Sequence, residues 1–77
     1  MMVELNTDKI GVVVKRLRQE AGLSQEVCSG LAGIARSHLA MIENSSKVPN
    51  FETLWKLSFA FNMRPHELVK LIEEEHK

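Results

Sequence analysis

Tyrosine is absent from this sequence, and aromatic residues make up only 5% of it. Strands draw heavily on aromatic side chains, so an all-β sandwich or barrel is not expected. A single cysteine, Cys28, excludes an intramolecular disulfide and a cysteine-rich zinc site. No apolar run approaches the roughly 20 residues that span a bilayer. The first six residues lack the basic stretch and long apolar core of a secretory signal. Charge of one sign is missing too, since 10 Lys and Arg balance 10 Asp and Glu. Indiscriminate binding to nucleic acid depends on a strong positive field, and a neutral chain does not supply one. Together these absences lead to the expectation of a cytoplasmic protein, off the membrane, with no metal and no cofactor.

What is present fits one small folded unit. The chain has 77 residues, 44% hydrophobic and 26% charged, enough for a single core and a single domain over 1–77. Capping and breaking residues divide it into about five helical segments with no convincing strand. The first is expected over 7–21, capped by Asn6 or Thr7 and stopped by Gly22, with Ile10, Val13, Val14, Leu17 and Ala21 at helical spacing. Lys15, Arg16 and Arg18 form a basic cluster on it. Ser24 caps a second helix over 25–32, and Gly33 ends it. A third follows over 35–44, then a loop over 45–49. Asn50 caps a fourth over 51–61, whose inner stripe is expected to be Phe51, Leu54, Leu57, Ser58 and Phe61. Pro65 suits the first position of a fifth, with Leu68, Leu71 and Ile72 on one side. Glu73, Glu74 and Glu75 read as a solvated tail. Such short helices are stable only when packed together, so the fold class is all-α, a compact bundle of short helices.

Residues 24–43, two short helices joined through a glycine turn, are the informative constellation. On a wheel of about 100° per residue, Ala35, Leu39 and Ile42 of the third helix cluster toward the core. Arg36, Ser37, Ala40, Met41 and Asn44 lie on the opposite flank, which is small, polar and nearly free of acid. A helix that enters the major groove of DNA needs that kind of face.

The spacing resembles the lambda-repressor/Cro-type (XRE-like) helix-turn-helix family. Leu23-Ser24-Gln25-Glu26, Ala32-Gly33-Ile34, Arg36-Ser37-His38-Leu39 and Ile42-Glu43-Asn44 are similar to its core motif. Pro49-Asn50-Phe51-Glu52-Thr53-Leu54 and Asn62-Met63-Arg64-Pro65-His66-Glu67-Leu68 are similar to its last two helices. The resemblance covers residues 10–71. It implies a lambda-repressor-like fold and a regulator of transcription that binds double-stranded DNA, of repressor or restriction-modification controller type. It implies base contacts from Arg36, Ser37 and Met41, with Ala40 beside them. It also implies backbone contacts from Gln25, Asn44 and Lys47, with Gln25 bracing the first residue of the reading helix. Arg18 and His38 are further candidates for the backbone, and Arg18 resembles one half of a family ion pair with Glu43. The sequence departs from the pattern at Ala35, where a capping Ser or Thr is usual, and at Cys28, Ser29, Gly30, Ser45 and Ser46.

Trp55 and Phe59, spaced i, i+4 on the outer side of the fourth helix, suggest a partner surface, and a homodimer on a palindromic operator is the expectation. Val27 and Leu31, outward on the second helix, are lesser candidates. Cys28 reads as a core residue, because no base or metal partner stands at a useful spacing. His66 and His76 have no metal-ligand companions. The rival reading is a protein-interaction module, or an antitoxin-like partner of another protein, that keeps the helix-turn-helix fold. An enzyme is not expected, since paired carboxylates, a nucleophile-base set and a glycine-rich phosphate loop are all missing.

Overall fold

The computed structural model describes residues 4–76 and contains five α-helices, with no strand among the described residues. These are α1 (Asp8–Glu20), α2 (Gln25–Ala32), α3 (Arg36–Glu43), α4 (Phe51–Ala60) and α5 (Pro65–Glu74). Local chemistry sets most of the ends. The Ser24 hydroxyl accepts from Val27 N–H at 3.1 Å at the start of α2, and the Asn50 side chain accepts from Thr53 N–H at 2.8 Å at the start of α4. Pro65 opens α5, where the Glu67 carboxylate accepts from Arg64 N–H at 2.7 Å. At α1 the Asn6 side chain serves, accepting from Asp8 N–H at 3.0 Å, while Thr7 is already helical and makes no side-chain cap. Gly33 closes α2 at φ 71°, a left-handed conformation that only a residue without Cβ adopts freely.

One buried cluster holds the helices together, built from Ile10, Val13 and Val14 of α1, Cys28 and Ala32 of α2, Leu39 and Ile42 of α3, Leu57 of α4, and Leu68 and Ile72 of α5. α2 packs on α3 and α4, α1 on α3 and α5, and α4 on α5. Cys28 is fully buried. Burial pushes its thiol pKa up, with the nearby Glu43 carboxylate adding to the effect, so it stays a protonated apolar filler. Gly30 costs α2 up to about 1 kcal/mol of helix propensity, and no neighbour occupies the space a Cβ would take there.

Two sequence expectations are corrected here. Phe51 does not join the inner stripe of α4; it is 65% exposed. The buried arc runs instead through Thr53, Leu57 and Ser58, with Leu54 and Phe61 half-buried. At about 100° per residue, Phe51 falls some 80–90° from the middle of that arc. It packs edge-to-face on Trp55, one turn along, with ring centroids 5.9 Å apart. Nor do the terminal glutamates form a free tail. Glu73 and Glu74 complete α5, and Glu75 pairs with Arg16 at 2.6 Å. That guanidinium hydrogen bond holds the Glu75 carboxyl below its usual range.

Candidate nucleic-acid interface

The geometry of α3 follows from its two anchors. Leu39 and Ile42 are 0% and 1% exposed, which fixes the rotation of the helix about its axis. Arg36 and Ser37 consequently stand exposed on the far flank, with Ala40 and Met41 half-buried beside them. Among the described residues, no other segment covers Arg36 or Ser37. His38 is half-buried at the edge. Ala35, expected to point inward, is exposed and serves as the N-cap with extended backbone at ψ 144°. A residue at that point lies outside the helical wheel, so periodicity does not govern its direction. Its methyl group offers no acceptor, and the first-turn N–H groups of α3 have no side-chain cap.

The turn after α3 is built by its own polar groups. Ser46 N–H and Lys47 N–H both donate to the Met41 carbonyl, at 3.0 and 3.1 Å. The Asn44 side-chain oxygen accepts from Ser46 N–H at 2.9 Å and also from the Ser46 hydroxyl. Ser45 sits at φ 66°, a conformation that costs a residue with Cβ about 1–2 kcal/mol. This arrangement occupies the oxygen of Asn44 and leaves its amide donors on an exposed residue next to exposed Lys47.

Behind the exposed flank lies a buried ion pair. The Arg18 Nε and Nη2 donate to the two oxygens of Glu43 at 2.6 and 3.0 Å, and Nη1 donates to the Leu23 carbonyl at 2.9 Å. The side chains are only 12% and 4% exposed. The hydrogen bond to Glu43 raises the Arg18 pKa further, so the guanidinium stays charged at any working pH. Gln25 Nε2 adds a third donor to Glu43 at 3.2 Å. Gln25 therefore braces the last residue of α3, where its brace to the first residue had been expected. The cause is simple: Glu43 faces back toward α1 and α2, whereas Arg36 at the other end points to solvent. The one carboxylate of α3 is thus satisfied three times over and turned away from the exposed flank.

A family model for helix-turn-helix proteins (HTH_3) matches residues 14–68. The chain belongs to that helix-turn-helix family. Among similar proteins is the uncharacterized HTH-type transcriptional regulator YgzD of Bacillus subtilis, 36% identical over 61 residues that cover 79% of this chain and 92% of that protein. The uncharacterized HTH-type transcriptional regulator y4dJ of Sinorhizobium fredii is 32% identical over 65 residues, 84% of each chain. Among solved structures, the restriction-modification controller protein C.AhdI from Aeromonas hydrophila superposes with a TM-score of 0.76 at 32% identity, covering 80% of this chain and 94% of that one.

In helix-turn-helix terms, α2 and α3 are the two motif helices, and the matched stretch includes the whole interface described above. Sequence reasoning missed one residue that positions it. Gly11 of α1 lies so close to the end of α3 that a Cβ there would stand 2.5 Å from the Ile42 carbonyl oxygen and 3.0 Å from that of Glu43. A glycine within a helical stretch was the only available signal. The exposed aromatic surface includes Phe51 beside the expected Trp55 and Phe59. Trp55 is 57% and Phe59 74% exposed, and Trp55 shares a groove with Phe51, Arg64, Pro65, His66 and Val69. Phe59 lies beside Asn62, Met63, Arg64 and Glu67. Val27 and Leu31 are exposed, as expected. Among the described residues, no helix is long and apolar enough to cross a membrane.

Proposed function

We propose that this chain is a transcriptional regulator that binds double-stranded DNA sequence-specifically, laying α3 in the major groove. The observation that carries the reading is the free flank of α3, Arg36 and Ser37 with Ala40 and Met41, held outward by Leu39 and Ile42. Arg36 is the side chain suited to fork onto guanine O6 and N7, and Met41 offers apolar contact to a thymine methyl. Ser37 donates or accepts, and Ala40 allows close approach. Asn44, Lys47 and His38 of α3 and its following turn, with Gln25 at the start of α2, carry donors for the sugar-phosphate backbone, contacts that set register without reading sequence. Arg18 acts from behind, since all three of its guanidinium nitrogens are already bonded within the chain. C.AhdI, whose fold this chain shares, is itself a restriction-modification controller, which supports a controller or repressor role. No catalytic role is proposed.

The test is duplex binding across a salt series, with operators selected from a random pool. Binding should weaken with salt by about 0.9 log unit per log unit of salt for each phosphate engaged. Arg36→Ala should lose about 1–3 kcal/mol of preference at one base position in each half-site. An absence of duplex binding at low salt, or an unchanged base preference in Arg36→Ala, rejects the reading.

We propose further that the chain pairs as a homodimer on a palindromic operator, with the outer face of α4 and α5 as the contact. An eight-residue reading helix carries few base contacts, and two-fold pairing places two such helices about one DNA turn, roughly 34 Å, apart. Trp55 and Phe51 supply the exposed aromatic surface on which such contacts centre, with Phe59 at its margin. Trp55→Ala should shift sedimentation toward monomer, and an unaltered dimer excludes this face. The same aromatic groove and the zero net charge favour a second reading, a module that works by binding another protein. The salt series separates the two, because that module would not need phosphate contacts.

A further inference from the structure

The two ends of the described chain meet on one imidazole. Asn6 N–H donates to His76 Nε2 at 2.9 Å, and His76 Nδ1 lies 2.8 Å from the Ile72 carbonyl oxygen. A carbonyl only accepts, so Nδ1 carries the hydrogen and donates to Ile72. A backbone N–H only donates, so Nε2 presents its lone pair to Asn6. Both bonds coexist in a single form of the ring, the neutral Nδ1–H tautomer. We propose that His76 is a proton-sensitive clasp: it pins the strap ahead of α1 (residues 4–7) to the last turn of α5 when neutral and releases it on protonation.

The chemistry of release is direct. A proton added at Nε2 occupies the lone pair that Asn6 N–H uses, and two N–H groups then face each other. The bond from Nδ1 to Ile72 survives, so the ring stays on α5 while the strap leaves. The Arg16–Glu75 pair at 2.6 Å is the neighbouring tie between α1 and the end of α5, and it does not depend on the imidazole. The charged groups around the ring are Glu4 of the strap, Glu73 and Glu75 at the end of α5, and Lys9 and Arg16 of α1. Three of these are carboxylates and two are cations. Neither set replaces the lost acceptor of Asn6 N–H. Leu5 of the strap lines a groove together with Val69, Ile72 and His76 of α5 and its end, and Val69 also lines the groove of Phe51 and Trp55. The state of the clasp therefore decides whether the strap stays on the side of α5 that adjoins that aromatic face.

The test is an NMR titration of the full chain, with amide exchange followed in the same samples. Above the titration, ring nitrogen shifts should report the Nδ1–H tautomer for His76. On acidification the His76 ring and the Asn6 amide should move with one midpoint, and Asn6 protection should drop about three- to tenfold, as expected for one hydrogen bond. In His76→Ala the step at Asn6 should vanish, with low protection at every pH. An Nε2–H tautomer, an Asn6 amide that ignores the His76 titration, or a step that persists in His76→Ala overturns the proposal. The first two readouts need only the unaltered chain.

Discussion

Arg18→Met should lower the free energy of unfolding by about 3–5 kcal/mol at neutral pH, the cost of leaving one member of a buried pair without its partner. Methionine preserves the length and apolar stem of the side chain, so the loss isolates the guanidinium. What remains is a Glu43 side chain 4% exposed whose sole remaining donor among the described residues is Gln25 at 3.2 Å. The Leu23 carbonyl loses its partner as well. A loss of this size takes up much of the roughly 5–15 kcal/mol that holds a small domain together. Removing both charges should cost less than removing one: Arg18→Met with Glu43→Leu should recover a substantial part of the loss, because no ion is left buried. Denaturant unfolding of the two single variants and the double variant measures this. A small loss in Arg18→Met, or a double variant as unstable as the sum of the singles, would show that the pair is not coupled as its geometry indicates.

The parts of the molecule that were legible in the sequence are those determined by neighbours along the chain. α2 was readable to the residue because a capping serine precedes it and a left-handed glycine follows it. Leu39 and Ile42 were readable because three-residue spacing on a short helix leaves one way to face the core. Ala35 was not, because a small apolar residue at an N-cap looks like the start of the stripe while its extended backbone points it elsewhere. Phe51 was misplaced for a related reason, being strongly apolar yet at the edge of the buried arc on the first residue of the helix, and its exposure is offset by contact with Trp55. The Arg18–Glu43 pair was legible only through the resemblance to a known family. The ties from Arg16 to Glu75 and from Asn6 to His76 join positions 59 and 70 residues apart. No local pattern encodes them, so they emerge only when α5 docks against α1.

Gly11→Ala should be destabilising by about 2 kcal/mol, against the usual direction of glycine replacement in a helix. Helix propensity alone would favour alanine by up to about 1 kcal/mol. The added methyl, however, would sit 2.5 Å from the Ile42 carbonyl oxygen and 3.0 Å from that of Glu43. Both are backbone atoms and cannot rotate aside as the Ser45 hydroxyl can. Either α1 or the last turn of α3 must move, and overpacking of this kind costs about 1–3 kcal/mol. Displacing Glu43 also stretches its bonds to Arg18 and Gln25, so this variant and Arg18→Met should combine non-additively. Gly30→Ala is the matched control: it is also a helical glycine, but open space surrounds the new methyl, and it should gain stability. Equal responses at the two glycines would mean that α1 does not press on the end of α3. If it does press there, Gly11→Ala should also weaken duplex binding at temperatures well below its unfolding transition, because the close approach of α1 sets where the reading helix ends.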